Sequence, residues 1–326
     1  MRMKSIISAV ILSLGITGSV FAQAAAPAAA PAPKTIVNLV RDAIAANDFA
    51  KAEKLALDEM AANGKTPIAI EAFSWLGRGA VAAKRYDEAM TYAARTYEIV
   101  EDQLKTRKLD DEARLPIALG AAIEVQAQAL AGQGQRSNAL ILLRREIERY
   151  KDTSILMRLN KNLNLLGLEG QPALPWQSTE WLGPKPPSLA DLRGNPVVIF
   201  LWAHWCPDCK AMGPILEAAM NKYKDAGLTI IAPTQRFGYV DKKRPAGPAE
   251  ELKWIETIRD EYYPWLKNVP VPVNSNVYES YGVSSTPTLV FLDRDGKVAA
   301  YNPGQLTAEK LEPLLQRIMA TSSSQY

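Results

Sequence analysis

Cysteine and histidine are almost absent, with two of the first and one of the second in 326 residues. That shortage excludes a framework stapled by several disulfides. It also leaves a four-ligand structural zinc site short of donors, because His204 joined to both cysteines still leaves a position empty. Excess charge of one sign is missing too. With 38 basic and 35 acidic residues the formal net charge is +3, so there is no electrostatic footprint for nucleic acid or for an anionic membrane. Long apolar runs are lacking as well. The stretch from Ile6 to Thr17 is shorter than the ~18 residues of a membrane span, and no later segment approaches that length without charges, so no stable membrane insertion is expected.

That short stretch has a different use. Arg2 and Lys4 precede it, and Val20-Phe21-Ala22 follows in the small-residue pattern a signal peptidase accepts. Residues 1–22 are expected to be an export leader cut after Ala22, an uncleaved N-terminal anchor being the alternative. No cysteine near the cut supports a lipid anchor. Residues 23–33, almost wholly Ala and Pro, read as a tether. The expected location is the periplasm or another exported, soluble setting, where a disulfide can persist.

Two domains are expected beyond the tether. Residues 34–170 are Ala- and Leu-rich with apolar residues at helical spacing, which predicts an all-α domain. Phe49 to Ala52, Tyr86 to Ala89 and Arg136 to Ala139 each follow a short polar turn and open a second helix. Upstream, Leu76-Gly77 and Ala127 supply small side chains for close helix crossing. Leu140 to Arg149 and Ser154 to Leu166 are expected to add two more helices. The pattern resembles irregular tetratricopeptide (TPR) helical hairpins. Such a resemblance implies a concave face for a protein partner, packing against the second domain being the alternative.

Residues 171–326 change character. Val197 to Trp202 predicts a buried strand, Lys210 to Tyr223 a helix, Leu228 to Ala232 a strand and Glu251 to Glu261 a helix. A short strand near Val271, strands at Thr288 to Leu292 and Lys297 to Tyr301, and a helix from Thr307 to Met319 complete an α/β domain. Thr234 to about Glu250 reads as a polar insertion. Its Arg236, Lys242, Lys243 and Arg244 either edge a groove for acidic partners or form a solvated loop, the second being favoured. Both cysteines sit in Trp205-Cys206-Pro207-Asp208-Cys209-Lys210, directly after the first strand. A disulfide closing so small a ring contributes only about 2 kcal/mol on the chain-entropy model, against roughly 4.7 for a hundred-residue loop. A pair this local is a poor staple, and the spacing points to a dithiol that opens and closes.

The predicted helix start places Cys206 where free N–H groups and the helix dipole favour a thiolate, which makes it the candidate nucleophile. Pro207 suits the first helical turn. Cys209, one turn inward, is the candidate resolving thiol. Asp208 would raise the pKa of a nearby thiolate and a charged His204 would lower it, so both are candidate tuning residues with opposite signs. Trp205 is expected to flank the disulfide as part of a docking surface.

With Trp-Cys-x-x-Cys-Lys at a strand-to-helix junction stand Pro214, the lead-in Leu189-Ala190-Asp191-Leu192-Arg193-Gly194, and Tyr281 to Thr288 with Thr286-Pro287. Together they resemble the thioredoxin fold of exported TlpA/ResA-like thiol-disulfide oxidoreductases. The resemblance implies a cis Thr286-Pro287 bond facing the disulfide and clamping an extended partner segment. It implies protein thiols or disulfides as partners, and no cofactor beyond the redox-active Cys206–Cys209 disulfide. The buried acid that cytosolic thioredoxin places six residues before the first cysteine is here Phe200, leaving His204, Asp208 or water to move a proton.

Rival readings remain. A thiol peroxidase would carry Thr where Ala203 stands, and a copper-handling protein would want a longer cysteine spacing and a later histidine. A non-catalytic scaffold uniting TPR-like and thioredoxin-like halves is the rival from another class.

Overall fold

Local side-chain capping starts the first three helices. In this computed structural model, which describes residues 34–176 and 178–320, α1 (Ile36–Ala45) begins after Thr35, whose side chain accepts from the Asn38 N–H. Asp48 caps α2 (Phe49–Asn63) and Thr66 caps α3 (Pro67–Ala82), with Pro67 in the first turn. Next come α4 (Tyr86–Leu104), α5 (Arg114–Gly132), α6 (Arg136–Arg149) and α7 (Leu156–Gly167). Leu140 to Arg149 is thus no separate helix, because α6 runs unbroken from Arg136. The expected leader and tether lie outside the described residues.

Three connections share one geometry. Asn47, Lys84 and Gly134 each take a left-handed conformation, at φ 59°, 58° and 81°. In each turn the next N–H reaches back across the helix end: Asp48 to Ala43, Arg85 to Ala80 and Gln135 to Leu130, at 2.8 to 2.9 Å. This closure satisfies carbonyls left open at a helix terminus and folds α1/α2, α3/α4 and α5/α6 into like hairpins. The predicted small side chains serve close crossing, since a Cβ at Gly77 would stand 3.2 Å from Val125 Cγ1 and Ala127 is fully buried. α5 is long and apolar enough to cross a membrane, yet it carries Arg114 and Glu124 and packs against α3, α4, α6 and α7. It is the core helix of this half.

The second half is α/β. Strands β1 (Trp181–Leu182), β2 (Val197–Leu201), β3 (Thr229–Ile231), β4 (Val271–Pro272), β5 (Thr288–Leu292) and β6 (Val298–Pro303) occur with α8 (Pro207–Lys222), α9 (Pro248–Tyr262), α10 (Ser275–Ser280) and α11 (Ala308–Met319). Four strands form one sheet in the order β3-β2-β5-β6, with β2 parallel to β3 and antiparallel to β5, and β1 pairs with β4 separately. Every residue of β2 is buried, as a strand covered on both faces requires. Val198 and Phe200 join a core with Met212, Leu216, Ile255 and Leu315 from α8, α9 and α11. Val197, Ile199 and Leu201 face Val277, Tyr278, Leu168 and Trp176.

The two halves share buried contacts, and the chain from Thr35 onward is one compact unit. Leu168, just past α7, enters the second core. Asn160 and Asn164 of α7 donate to the carbonyls of Glu279 and Ser280 at 3.3 and 2.9 Å, and Gly282 lies directly against the α7 backbone.

Candidate active site

The site forms where β2 ends and α8 begins. The Trp202 carbonyl takes hydrogen bonds from Thr234 Oγ1 at 2.8 Å and from the Tyr278 hydroxyl, and the Trp202 indole N–H donates to Ala232 at 3.0 Å. These bonds fix the chain just before the motif. Cys206 is the residue ahead of α8, in extended conformation, and its Sγ accepts from the Cys209 N–H at 3.0 Å. Pro207 occupies the first helical turn, as expected, and Pro214 lies within α8.

Cys206 and Cys209 form a disulfide, with Cα atoms 5.2 Å apart. Cys209 is fully buried, and Cys206 is only 1% exposed although its neighbours Trp205 and Pro207 are open to solvent. The outer sulfur therefore lies just under the surface. Across from it, Cys206 Sγ is 3.5 Å from the carbonyl oxygen of Thr286, and the Thr286-Pro287 bond is cis. β2 and β5 are antiparallel neighbours, with Leu201 opposite Thr288, so the end of one and the start of the other carry these groups to the same edge. Trp205 is 45% exposed and meets Phe237 edge-on at 5.6 Å. Asp208 is exposed in the first turn of α8. The Lys210 ammonium lies 3.7 Å from the Tyr262 ring centroid.

His204 differs from the expectation of a tuning charge. It is 2% exposed, its Nε2 lies 3.3 Å from Glu251 Oε1, and the Phe237 and Tyr239 rings each stand 5.5 Å away edge-on. Glu251 is itself buried and also accepts from the N–H groups of Phe237 and Gly238, the latter at 2.9 Å. The pair thus ties the insertion to the site. Burial pushes the His204 imidazole below its ordinary pKa, the Glu251 bond pulling the other way.

A pH dependence follows. His204 is the sole histidine, and histidine is the side chain whose ordinary titration falls between pH 5 and 8. With its folded pKa depressed, the unfolded chain binds more protons below about pH 6.5, so stability is complete above that value and falls on acidification. Urea unfolding between about pH 7.5 and 5.5 is expected to show this loss, with a flatter profile for His204→Gln. Wild-type stability that rises as the pH falls would contradict a neutral buried ring.

The insertion is solvated over most of 241–250, as its charges suggest, but its first part is held to the domain. Arg236 is half-buried, pairing with Glu180 at 2.6 Å and donating to the Pro248 carbonyl at 2.9 Å. Lys242, Lys243 and Arg244 are exposed. Phe237, Tyr239 and Glu251 were missed by the sequence reading. The aromatic pair in Phe237-Gly238-Tyr239 was the available signal, whereas nothing local marks Glu251. At the position of the absent acid, Phe200 packs 6.2 Å from Tyr263, whose buried hydroxyl has no hydrogen-bond partner. Burial raises that hydroxyl's pKa. Among the described residues there is no group of three or more His, Cys, Asp or Glu that could hold a metal.

Comparison with known proteins agrees with this architecture. A thioredoxin-like domain model matches residues 187–318. Over 130 residues the chain is 30% identical to the thiol-disulfide oxidoreductase ResA of Bacillus cereus, covering 40% of this chain and 67% of that protein. The ResA of Oceanobacillus iheyensis is 29% identical over 133 residues, 40% of this chain and 60% of the relative. The thiol:disulfide interchange protein DsbE of Pasteurella multocida is 29% identical over 131 residues, 39% and 63% of the two chains. The chain therefore spans less than two thirds of the length of some of these relatives, and it carries a helical half outside the matched segment. Through its α/β half, this chain belongs to the ResA-like family of thioredoxin-fold proteins.

Proposed function

We propose that this chain is an exported thiol-disulfide oxidoreductase exchanging disulfides with protein partners through Cys206 and Cys209. The observation that carries the reading is the closed disulfide at the start of α8, its outer sulfur accepting from the Cys209 N–H beside the Thr286 carbonyl. A thiolate formed at Cys206 on reduction is stabilised by that N–H and by the helix terminus. It attacks one sulfur of a partner disulfide, forming a mixed disulfide and releasing the other partner sulfur as a thiolate that takes up a proton. Cys209, deprotonated, then attacks Cys206 Sγ, the mixed disulfide breaks, and the second partner thiol departs. Two electrons pass from the dithiol to the partner, and the same steps in reverse oxidise a partner dithiol.

Trp205, Thr286 and Pro287 form the partner-binding rim in this reading, joined by Phe237. Exposed Trp205 offers apolar area, and the backbone beside Pro287 offers pairing to an extended segment, a mode tolerant of sequence. Asp208 and Pro207 adjust the dithiol, and His204 acts by anchoring the insertion through Glu251. The TPR-like helical domain, residues 34–170, docks a protein partner for the thioredoxin-like domain, residues 171–326. Export rests on the leader at 1–22.

Insulin reduction by dithiothreitol tests the reading. The full chain is expected to hasten precipitation of the insulin B chain, and Cys206→Ser to fall to the uncatalysed rate. Equal rates for the two proteins would favour the scaffold.

A further inference from the structure

The helical half carries a feature that disulfide exchange does not use. α1 and α3 approach closely because Gly79 has no side chain, a Cβ there standing 2.6 Å from Ile44 Cγ2. At this crossing lies a cavity of about 500 Å³ lined by Arg41, Ile44, Ala45, Trp75 and Arg78 among others. Two guanidinium groups stack on one indole, Arg41 Cζ at 4.4 Å and Arg78 Cζ at 4.3 Å from the Trp75 ring centroid. The Trp75 indole N–H is buried and has no hydrogen-bond partner, a vacancy that calls for a reason.

The neighbouring acids are already engaged. Glu71 is paired with Arg114 at 2.5 Å, and Glu124 with Arg158 at 2.7 Å and Lys161 at 3.4 Å. Burial would raise the Glu124 carboxyl, but those two cations hold it down at about 2. Among the described residues no ion pair joins Arg41 or Arg78 to Glu71 or Glu124, and Asp42, which also lines the cavity, is itself engaged. The hydrogen bond of Arg78 goes to the Ile117 carbonyl at 3.4 Å. Burial and the charge of Arg158 lower the Arg78 pKa to about 10, against the opposing pull of Glu124 and Glu71.

We propose that this cavity docks an acidic segment of a partner protein, one carboxylate side chain held by Arg41 and Arg78 and an adjacent apolar side chain set against Ile44 and Ala45. Guanidinium forks match a carboxylate in shape and charge. The apolar lining suits a side chain beside that carboxylate better than a small inorganic anion, and the recess admits a side chain where a flat bilayer could not follow. A chain of net charge +3 has no general pull on anionic surfaces. The inference gives a chemistry to the docking role proposed for the helical half and stands apart from the dithiol.

Two pools of fluorescein-labelled octapeptides test it, both degenerate in Ala, Leu and Phe, one with Asp and Glu at two positions and the other with the isosteric Asn and Gln. By anisotropy on the full chain, the acidic pool is expected to bind roughly tenfold tighter than the amide pool and to weaken with salt. Arg78→Gln, and separately Arg41→Gln at an exposed position, should each weaken it about tenfold while insulin reduction is unchanged. Absent binding, equal binding of the two pools, or binding indifferent to both substitutions overturns the proposal. So does tighter arginine-dependent binding to phosphatidylglycerol vesicles, which would assign the cavity to lipid. Loss of insulin activity in the wild type leaves this result untouched, so the two readings fail separately.

Discussion

With Cys209 replaced by serine, the chain is expected to accumulate covalent adducts with its partners, visible on non-reducing gels and released by dithiothreitol. Cys206 keeps its place at the start of α8, where the N–H of residue 209 still points at its sulfur, so the first attack proceeds. A serine hydroxyl does not break a disulfide at neutral pH, because the step needs a thiolate. The mixed disulfide then persists until an external thiol clears it. Insulin turnover should drop by at least roughly a hundredfold, as when one member of a concerted catalytic set is removed. The double variant Cys206→Ser/Cys209→Ser should form no adduct. Adducts formed by Cys206→Ser alone, through fully buried Cys209, would reverse the assignment of attacking and resolving thiols.

The second large effect lies between the halves. Gly282→Ala is expected to cost about 2 to 5 kcal/mol, the sum of about 1–2 for a left-handed residue and about 1–3 for overpacking. Gly282 has φ +62°, and a Cβ there would stand 2.1 Å from the Lys161 nitrogen and 2.5 Å from the Asn160 carbonyl carbon. These are backbone atoms of α7 and cannot rotate aside. Relief requires α7 to withdraw from α10, which removes the Asn160 and Asn164 hydrogen bonds to Glu279 and Ser280. Urea unfolding followed by circular dichroism should show an early midpoint, with the transition broadened or split as the halves uncouple. Gly296→Ala is the control, since its φ is +77° with nothing within 4 Å, and it should cost only the backbone share of about 1–2 kcal/mol. Equal losses from the two substitutions would mean that the contact with α7 contributes nothing.

Much of the α/β half was legible because its signals are local. Thr288–Leu292 appears as a strand with the expected ends, and Val197–Leu201 differs from expectation by one residue. Both are β-branched or large apolar runs that a two-sided burial demands. The helix after the motif begins at Pro207, as the fitness of a proline for the first turn implies, ahead of the apolar period that shows only from Lys210. α10 and β1 went unread. Six residues and two residues are too short to display a period, and each is held by tertiary pairing. The pattern alone splits α6 at Leu140, whereas Ala139 and Leu143 keep one buried stripe running through a single helix.

The sequence by itself determined that two sulfurs three positions apart would meet at a helix start. Strand propensity, a proline in the first turn and the reach of a four-residue ring are properties of neighbouring residues. Only the tertiary structure decided what surrounds them. Glu251 comes from 47 residues away to hold His204, and Thr286 from 80 residues away to face Cys206. Those distances in sequence are closed by the pairing of β2 with β5 and by the packing of α9 on the sheet, which depend on the whole core and leave no mark on the local pattern.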